Sequence, residues 1–269
     1  MRRLLLAGML TVTLGGCVIT TGGPVPVSTQ VSAEQGKGTQ EVEAGQDKGT
    51  LEVEAGVLKG RVVGADGRPI QGAEIAADNQ LLYNSNLIVS TDADGFYRVD
   101  TDVAATFHVT ASMKIDFNGK KYAIDLAPED DTSFAGPTGA VRNFTWKLTG
   151  ERPDGLGHYG SSVLFYLDNV DPQNPEVYLE DENVEVTLTP EGPLADGSAG
   201  QTITRRAIRT PDGSGLVDVP LGRYRISANY QGRPLQVGPR NSGQYAAEVV
   251  ADFAQHINAV YWIELEMKL

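Results

Sequence analysis

The sequence predicts an all-β chain in which two tandem antiparallel β-sandwiches follow a signal peptide and a disordered tether. Three observations lead to this prediction. Short segments such as residues 73–78 and 107–111 alternate apolar and polar side chains, which is the period of half-buried strands. Turns rich in Gly, Asp and Pro separate them, with no helical pattern between. The 269 residues are enough for two sandwiches of about 100 residues each.

The N-terminus carries a targeting pattern. Arg2 and Arg3 precede an apolar run, residues 4–14, which is too short to span a bilayer. The run closes with Leu14-Gly15-Gly16-Cys17, which resembles a bacterial lipobox. That resemblance implies that residues 1–16 are removed and that Cys17 is lipidated on sulfur. An ordinary secretory signal with an incidental cysteine is the alternative. Because Cys17 is the only cysteine, no disulfide can form within the chain.

Lipidation would place the chain in the cell envelope, where two or more acyl chains give stable anchoring. Val18 follows the cysteine and resembles the sorting pattern of enterobacterial lipoproteins, favouring the outer membrane or cell surface over the inner membrane. The formal net charge of -13 argues against binding nucleic acid or anionic lipid through the protein surface. The expected membrane contact is therefore the lipid anchor alone.

Residues 17–57 are predicted to be the lipidated cysteine and a flexible tether. This segment lacks aromatic residues and contains an 11-residue repeat, in which residues 48–56 nearly copy residues 37–45. Two copies are too few to form a solenoid, and the composition is typical of a disordered linker. As a flexible coil the tether would reach roughly 35 Å.

The first sandwich is predicted at residues 58–149. Its start contains Gly60-Arg61-Val62-Val63, then Asp66-Gly67-Arg68-Pro69 and, after a loop, Thr91-Asp92-Ala93-Asp94-Gly95-Phe96-Tyr97. These pieces, in this order, resemble the carboxypeptidase regulatory-like domain, a transthyretin-type (prealbumin-like) sandwich in the carbohydrate-binding-like fold group. The resemblance implies a non-catalytic module of a secreted or cell-surface protein, used for binding or spacing.

After a linker at residues 150–159, residues 160–269 are predicted to be a second sandwich and a divergent duplicate of the first. An Asn118-Gly119 hairpin in the first half has a counterpart around Gln231-Gly232. Each half also closes on a strand with one tryptophan, Trp146 or Trp262, and we expect both to be buried. The second half lacks the Asp-Gly-Arg-Pro turn after its first strand.

The sequence predicts neither catalysis nor a cofactor. It contains no Gly-x-Ser-x-Gly motif, and its one cysteine lies in the lipobox. Asp92 and Asp94 are weak calcium candidates. The position after Gly95 is Phe96 rather than an acid, and no glutamate follows at the distance that an EF-hand loop requires. A turn is therefore the preferred interpretation, and no metal site is predicted. His108, His158 and His256 lack metal-ligand spacing.

Tyrosines concentrate in the second half. Tyr166, Tyr230 and Tyr245 are candidate glycan contacts, because tyrosine rings on a sandwich face can stack on sugars; the alternative is that they fill the core. Together these features predict a non-catalytic, lipid-anchored envelope protein that acts as a structural or protein-interaction module. The second hypothesis is a surface carbohydrate-binding lipoprotein. The expected partner is accordingly an envelope protein or a glycan.

Overall fold

The computed structural model describes residues 51–257 and 259–269. Over these residues the chain is almost entirely β, and four sheets pair into two β-sandwiches. The predicted fold class is confirmed. Short 3₁₀ turns occur at Gly136–Thr138, Pro153–Gly155 and Asp181–Asn183. The predicted signal peptide, Cys17 and most of the tether lie outside the described residues.

The first sandwich contains ten strands. They are β1 (Val57–Val63), β2 (Glu74–Asn79), β3 (Asn86–Ser90), β4 (Phe96–Asp100), β5 (Thr106–Phe117), β6 (Lys120–Asp125), β7 (Ala127–Pro128), β8 (Phe134–Ala135), β9 (Ala140–Val141) and β10 (Phe144–Thr145).

One sheet of the first sandwich has the strand order β4-β1-β10-β7, with β9 also paired to β1. The other has the order β3-β2-β5-β6, with β8 also paired to β5. The closing strand expected around residues 141–148 is instead two short strands, β9 and β10, both parallel to β1. Between them, the side-chain oxygen of Asn143 accepts a hydrogen bond from the Arg61 backbone N–H and interrupts the ladder.

The second sandwich contains eleven strands. They are β11 (Ser161–Leu167), β12 (Val184–Pro190), β13 (Ile203–Arg206), β14 (Ile208–Thr210), β15 (Gly213–Val219), β16 (Arg223–Tyr230), β17 (Arg233–Pro234), β18 (Gln236–Pro239), β19 (Val249–Asp252), β20 (Ala254–Ile257) and β21 (Val260–Lys268).

The two sandwiches share a strand order. In the second, β11 lies between β15 and β21, as β1 lies between β4 and β10. The order β13-β12-β16-β17, with β19 paired to β16, repeats the order β3-β2-β5-β6 with β8. In both, the first strand pairs in parallel with the last and antiparallel with its other neighbour. That the second half is a divergent duplicate stays a prediction of the sequence, with which this common order is compatible.

Each sandwich has its own core, built from the inward side chains of its two sheets. In the first, alternate residues of β5 point inward, including Phe107, Val109 and Ala111. In the second, alternate residues of β12 and β16 do the same, among them Val186 and Ile226. The period of two in the sequence therefore matches the observed burial.

The β5–β6 hairpin of the first sandwich packs against the second. Its turn has Asn118 and Gly119 at φ 48° and 74°, the left-handed pair of a type I′ turn. Tyr122 on β6 is 2% exposed and belongs to the core of the second sandwich. The described residues from 51 onward accordingly belong to one compact unit.

The first sandwich begins a few residues before the predicted boundary at residue 58. The backbone N–H of Gly56 donates to the Pro137 carbonyl, and the Glu54 carboxylate accepts from Arg98 at 2.5 and 2.6 Å. Across the described part of the chain, no helix is both long and apolar enough to cross a membrane.

Candidate functional site

The seam between the two sandwiches is built from hydrogen bonds and aromatic contacts. The hydroxyl of Tyr122 donates to the Phe253 carbonyl at 2.9 Å, and Lys120 Nζ donates to the same carbonyl at 3.0 Å. The ring centroids of Tyr122 and Tyr261 lie 4.8 Å apart. The Tyr261 hydroxyl accepts from the backbone N–H of Ala123 at 2.6 Å.

The linker between the sandwiches is fixed by hydrogen bonds and an ion pair. The Asp218 carboxylate on β15 accepts hydrogen bonds from the backbone N–H groups of Gly150 and Gly160, at 2.9 and 3.1 Å. Arg152 pairs with Asp125 on β6 at 2.8 Å. The segment predicted to be a linker is thus bonded to both sandwiches.

A cleft of about 260 Å³ opens at this seam, and both tryptophans line it. The expectation that Trp146 and Trp262 are buried is wrong, because both are half-buried at the cleft wall. The Nε1 atom of Trp146 is inaccessible to solvent and has no hydrogen-bond partner among the described residues. The Trp262 ring stacks on His256 at 3.6 Å between centroids. Tyr159 completes the aromatic wall, and burial raises the pKa of its hydroxyl.

The three tyrosines selected from the sequence do not form one surface. Tyr230 is 8% exposed and lies in the second core, where its hydroxyl accepts from the Glu180 backbone N–H at 3.2 Å. This position corresponds to the alternative interpretation, in which the tyrosines fill the core.

Tyr166 and Tyr245 lie together on the outer face of the β11–β21 pair, but a cation covers one face of each ring. The Arg240 guanidinium lies 3.8 Å from the Tyr166 centroid, and Lys268 Nζ lies 4.1 Å from that of Tyr245. The Tyr245 hydroxyl donates to Glu266 at 2.8 Å, and this hydrogen bond raises the Tyr245 pKa. A sugar ring stacking on a covered face would have to displace these cations.

Asp92 and Asp94 form a turn. The Asp92 carboxylate accepts from the backbone N–H groups of Asp94 and Phe96, both at 2.9 Å. The Asp94 carbonyl accepts from Arg61 Nε at 3.0 Å. In residues 51–257 and 259–269, no group of three or more His, Cys, Asp or Glu side chains is placed to hold a metal ion.

The three histidines make different contacts. His108 contacts Asp131 at 3.1 Å between Nε2 and Oδ1 on the first sandwich. His158 lies at the wall of the cleft, and His256 stacks on Trp262.

One exposed feature was not singled out from the sequence. The loop between β2 and β3 exposes Leu81, Leu82 and Tyr83, at 66%, 62% and 103% of their full surface. The signal was present, since three large apolar residues stand together in a stretch without charge, residues 79–86. A loop position gives such a run no sheet to pack on.

No family model matches the chain, and no curated protein matches it. The resemblance to the carboxypeptidase regulatory-like family therefore remains an interpretation of the sequence.

Among solved structures, the fold is similar to that of the Bacillus anthracis TIE protein, with 14% identity and a TM-score of 0.32 over 80% of this chain and 34% of that chain. A streptococcal ancillary pilin matches with 12% identity and a TM-score of 0.25, over 78% of this chain and 61% of the pilin. A single B repeat unit of the Staphylococcus aureus collagen-binding surface protein matches with 11% identity and a TM-score of 0.21. That match covers 81% of this chain and 97% of the repeat unit. The chain thus spans about a third and about three fifths of the first two proteins. Similarities at this level show no shared family or function.

Proposed function

We propose that this chain is a non-catalytic, lipid-anchored protein of the bacterial envelope that presents two β-sandwiches as one rigid structural or interaction module. The observation that carries the proposal is the seam. Two domains joined only by a flexible linker move independently by default. Here the core of the second sandwich includes Tyr122 from the first.

The seam is also costly to open. Separating the sandwiches would expose the ring of Tyr122 and break its hydrogen bond to the Phe253 carbonyl. It would also break the hydrogen bond from the Ala123 N–H to the Tyr261 hydroxyl. Each lost hydrogen bond costs about 1 kcal/mol, and an exposed aromatic ring costs about 1.5–3 kcal/mol. A rigid pair suits a protein that holds a contact surface at a fixed geometry.

The anchor is the part of the proposal that rests on Leu14-Gly15-Gly16-Cys17. We expect cells fed an alkyne analogue of palmitate to label the wild-type chain, and the Cys17→Ser variant to carry no label. Ser28→Ala, a substitution in the tether, serves as the matched control and keeps the label. A labelled Cys17→Ser chain would show that this cysteine is not the lipid attachment site.

The cleft supports a second candidate function, glycan binding. It gathers Trp146, Trp262 and Tyr159 with the charged side chains of Asp125 and Arg152. Aromatic walls with a few polar groups are common in small-molecule sites. Titration with maltoheptaose, followed by tryptophan fluorescence, tests this candidate. A saturable change that is lost in Trp146→Phe supports it, and an unchanged spectrum up to millimolar sugar rules out maltoheptaose as a ligand of the cleft.

A further inference from the structure

We propose that the loop between β2 and β3, residues 80–85, is a second membrane contact that seats in an electrically neutral lipid surface beside the anchor. The inference rests on the proposed lipidation of Cys17 for its orientation. It adds a protein element to an attachment that the sequence assigned to acyl chains alone.

The loop presents apolar side chains to solvent at its tip. Leu81, Leu82 and Tyr83 are consecutive and exposed, and Tyr83, at 103%, is at least as exposed as a free residue. Residues 79–86 carry no charge. Two leucines and a tyrosine at a protruding tip match what a bilayer interface accepts, because the leucines enter the acyl region while the phenol stays among headgroups.

The tip lies at the end of the first sandwich where the chain enters from its N-terminus. β1 begins at this end and β4 ends there, since Val57 pairs with Asp100. β2 ends there too, and the Gln80 backbone N–H donates to the Thr106 carbonyl at the start of β5. We call this end, formed by residues 51–56, 80–85 and 101–105, the entry pole.

Two further exposed apolar side chains lie at the entry pole. Val53 is 64% exposed and Val103 is 53% exposed, and each comes from a different segment. The entry pole thus combines five exposed apolar side chains from three segments. The second sandwich packs on the opposite end of the first, where the β5–β6 hairpin turns.

The backbone N–H groups of the two leucines are hydrogen-bonded within the loop. The buried side-chain oxygen of Asn79 accepts hydrogen bonds from the N–H groups of Leu81 and Leu82, at 2.9 and 3.2 Å. An unpaired N–H would be costly to move out of water. This bond pair also holds the leucines in place before contact.

The charged side chains around the loop decide which lipid headgroups it can approach. Glu52 and Asp102 lie within the entry pole, and Asp78 and Asp100 border it, all outside the uncharged loop. The nearby cations Lys59 and Arg98 are both paired with Glu54. Anionic headgroups would therefore be repelled, whereas zwitterionic headgroups would not.

The predicted tether would keep the entry pole near the bilayer. If the segment between Cys17 and residue 51 is a flexible coil, its r.m.s. reach is roughly 30–35 Å. Linkers of this kind hold a second contact at an effective concentration on the order of millimolar. The anchor therefore strengthens the seating of a loop that already binds the bilayer by itself.

The test uses residues 18–269, which lack the lipidated cysteine, sedimented with phosphatidylcholine vesicles. We expect the wild-type chain to partition onto the vesicles, and the triple variant Leu81→Ser, Leu82→Ser, Tyr83→Ser to partition at least tenfold more weakly. Phosphatidylglycerol in the vesicles should weaken wild-type binding, and added salt should reverse that loss.

The matched control is Leu156→Ser, Ile257→Ser, Tyr178→Ser, which removes two aliphatic side chains and a tyrosine with similar exposures of 68%, 60% and 69%. It should bind as the wild type does, and circular dichroism checks that both variants fold. The proposal is overturned if the wild-type chain stays in the supernatant or if the loop variant binds equally well. It is also overturned if the loop substitutions instead dissolve a dimer of the chain, seen by ultracentrifugation. Palmitate labelling of Cys17 can fail or succeed independently, since this chain carries no lipid.

Discussion

Asp171 shows how one side chain holds the segment between β11 and β12 onto the second sandwich. Its carboxylate accepts two hydrogen bonds from the Arg233 guanidinium, at 2.5 and 3.1 Å, and one from the Gln173 backbone N–H at 2.9 Å. The bonds from Arg233, and next the one from Gln173, lower the pKa of Asp171 to about 2. The ionised form is therefore favoured in the folded chain.

This shift predicts an acid-sensitive contribution to stability. Because the pKa is lower in the folded than in the unfolded chain, the contribution is fully present above about pH 4 and is lost as the pH falls towards 2. Asp171→Asn should lower the Tm at pH 6 and give a shallower decline between pH 4 and 2. Thermal unfolding across this pH range measures both.

The control is Asp154→Asn, a change at an exposed aspartate in the linker. It should leave the Tm at pH 6 and the acid decline as in the wild type. Equal declines below pH 4 in Asp171→Asn and the wild type would contradict the assignment.

At this scale the sequence predicts alternation better than it predicts which face is buried. Phe165 and Tyr166 are neighbours on β11 and point to opposite faces, with exposures of 4% and 47%. Tyr230 has the same residue type as Tyr166 but lies in the core. The difference arises from the sheet that packs on each strand, and that sheet comes from distant parts of the chain.

Among the elements, the β5–β6 hairpin is the one most directly encoded. Asn118-Gly119 is a local signal for its turn, and the observed φ values agree. The parallel pairing of β1 with β10 was not predicted, because it joins segments about eighty residues apart. Nothing in either segment alone specifies its partner.

Gly60 and Gly119 are required for different reasons: a side chain at Gly60 would clash with its neighbours, whereas one at Gly119 would strain only the local backbone. A Cβ on Gly60 of β1 would lie 1.8 Å from the Arg142 carbonyl oxygen, which also accepts the Tyr97 hydroxyl. A Cβ on Gly119 would meet no atom within 4 Å, although its φ is +74°. Gly60→Ala should therefore cost about 3 kcal/mol, and Gly119→Ala about 1–2 kcal/mol.

Urea unfolding of the two variants measures these costs. If the two variants lose the same amount of unfolding free energy, the backbone around Gly60 relaxes and removes the clash. That outcome would contradict the close pairing of β1 with both neighbours.

For the whole molecule, the prediction of two sandwiches was correct in kind, but their coupling was not foreseen. The Asn118-Gly119 turn identified the hairpin from sequence, yet nothing local showed that Tyr122 enters the other core. Burial raises the pKa of its hydroxyl to about 12, so it remains a neutral donor to the Phe253 carbonyl throughout the physiological range.

This coupling predicts one cooperative unfolding transition for the wild-type chain. Tyr122→Ala removes the ring and its hydrogen bond, at a cost of about 3–5 kcal/mol, and should split the transition in two. Differential scanning calorimetry resolves the number of transitions. Tyr83→Ala, which truncates a fully exposed ring, should stay within about 0.5 kcal/mol of the wild type. Two transitions already in the wild type would refute a stable seam.

The parallel pairing of opening and closing strands also decides how the protein bears force. A pull from the N-terminus drags β1 along its own length, while the connection after β10 is drawn the other way. All the hydrogen bonds between the two strands are then loaded at once, instead of breaking one at a time. Force applied between the N-terminal end and the second sandwich would therefore load β1 and β10 in shear. Optical tweezers attached at residues 51 and 160 should record one abrupt, high-force rupture.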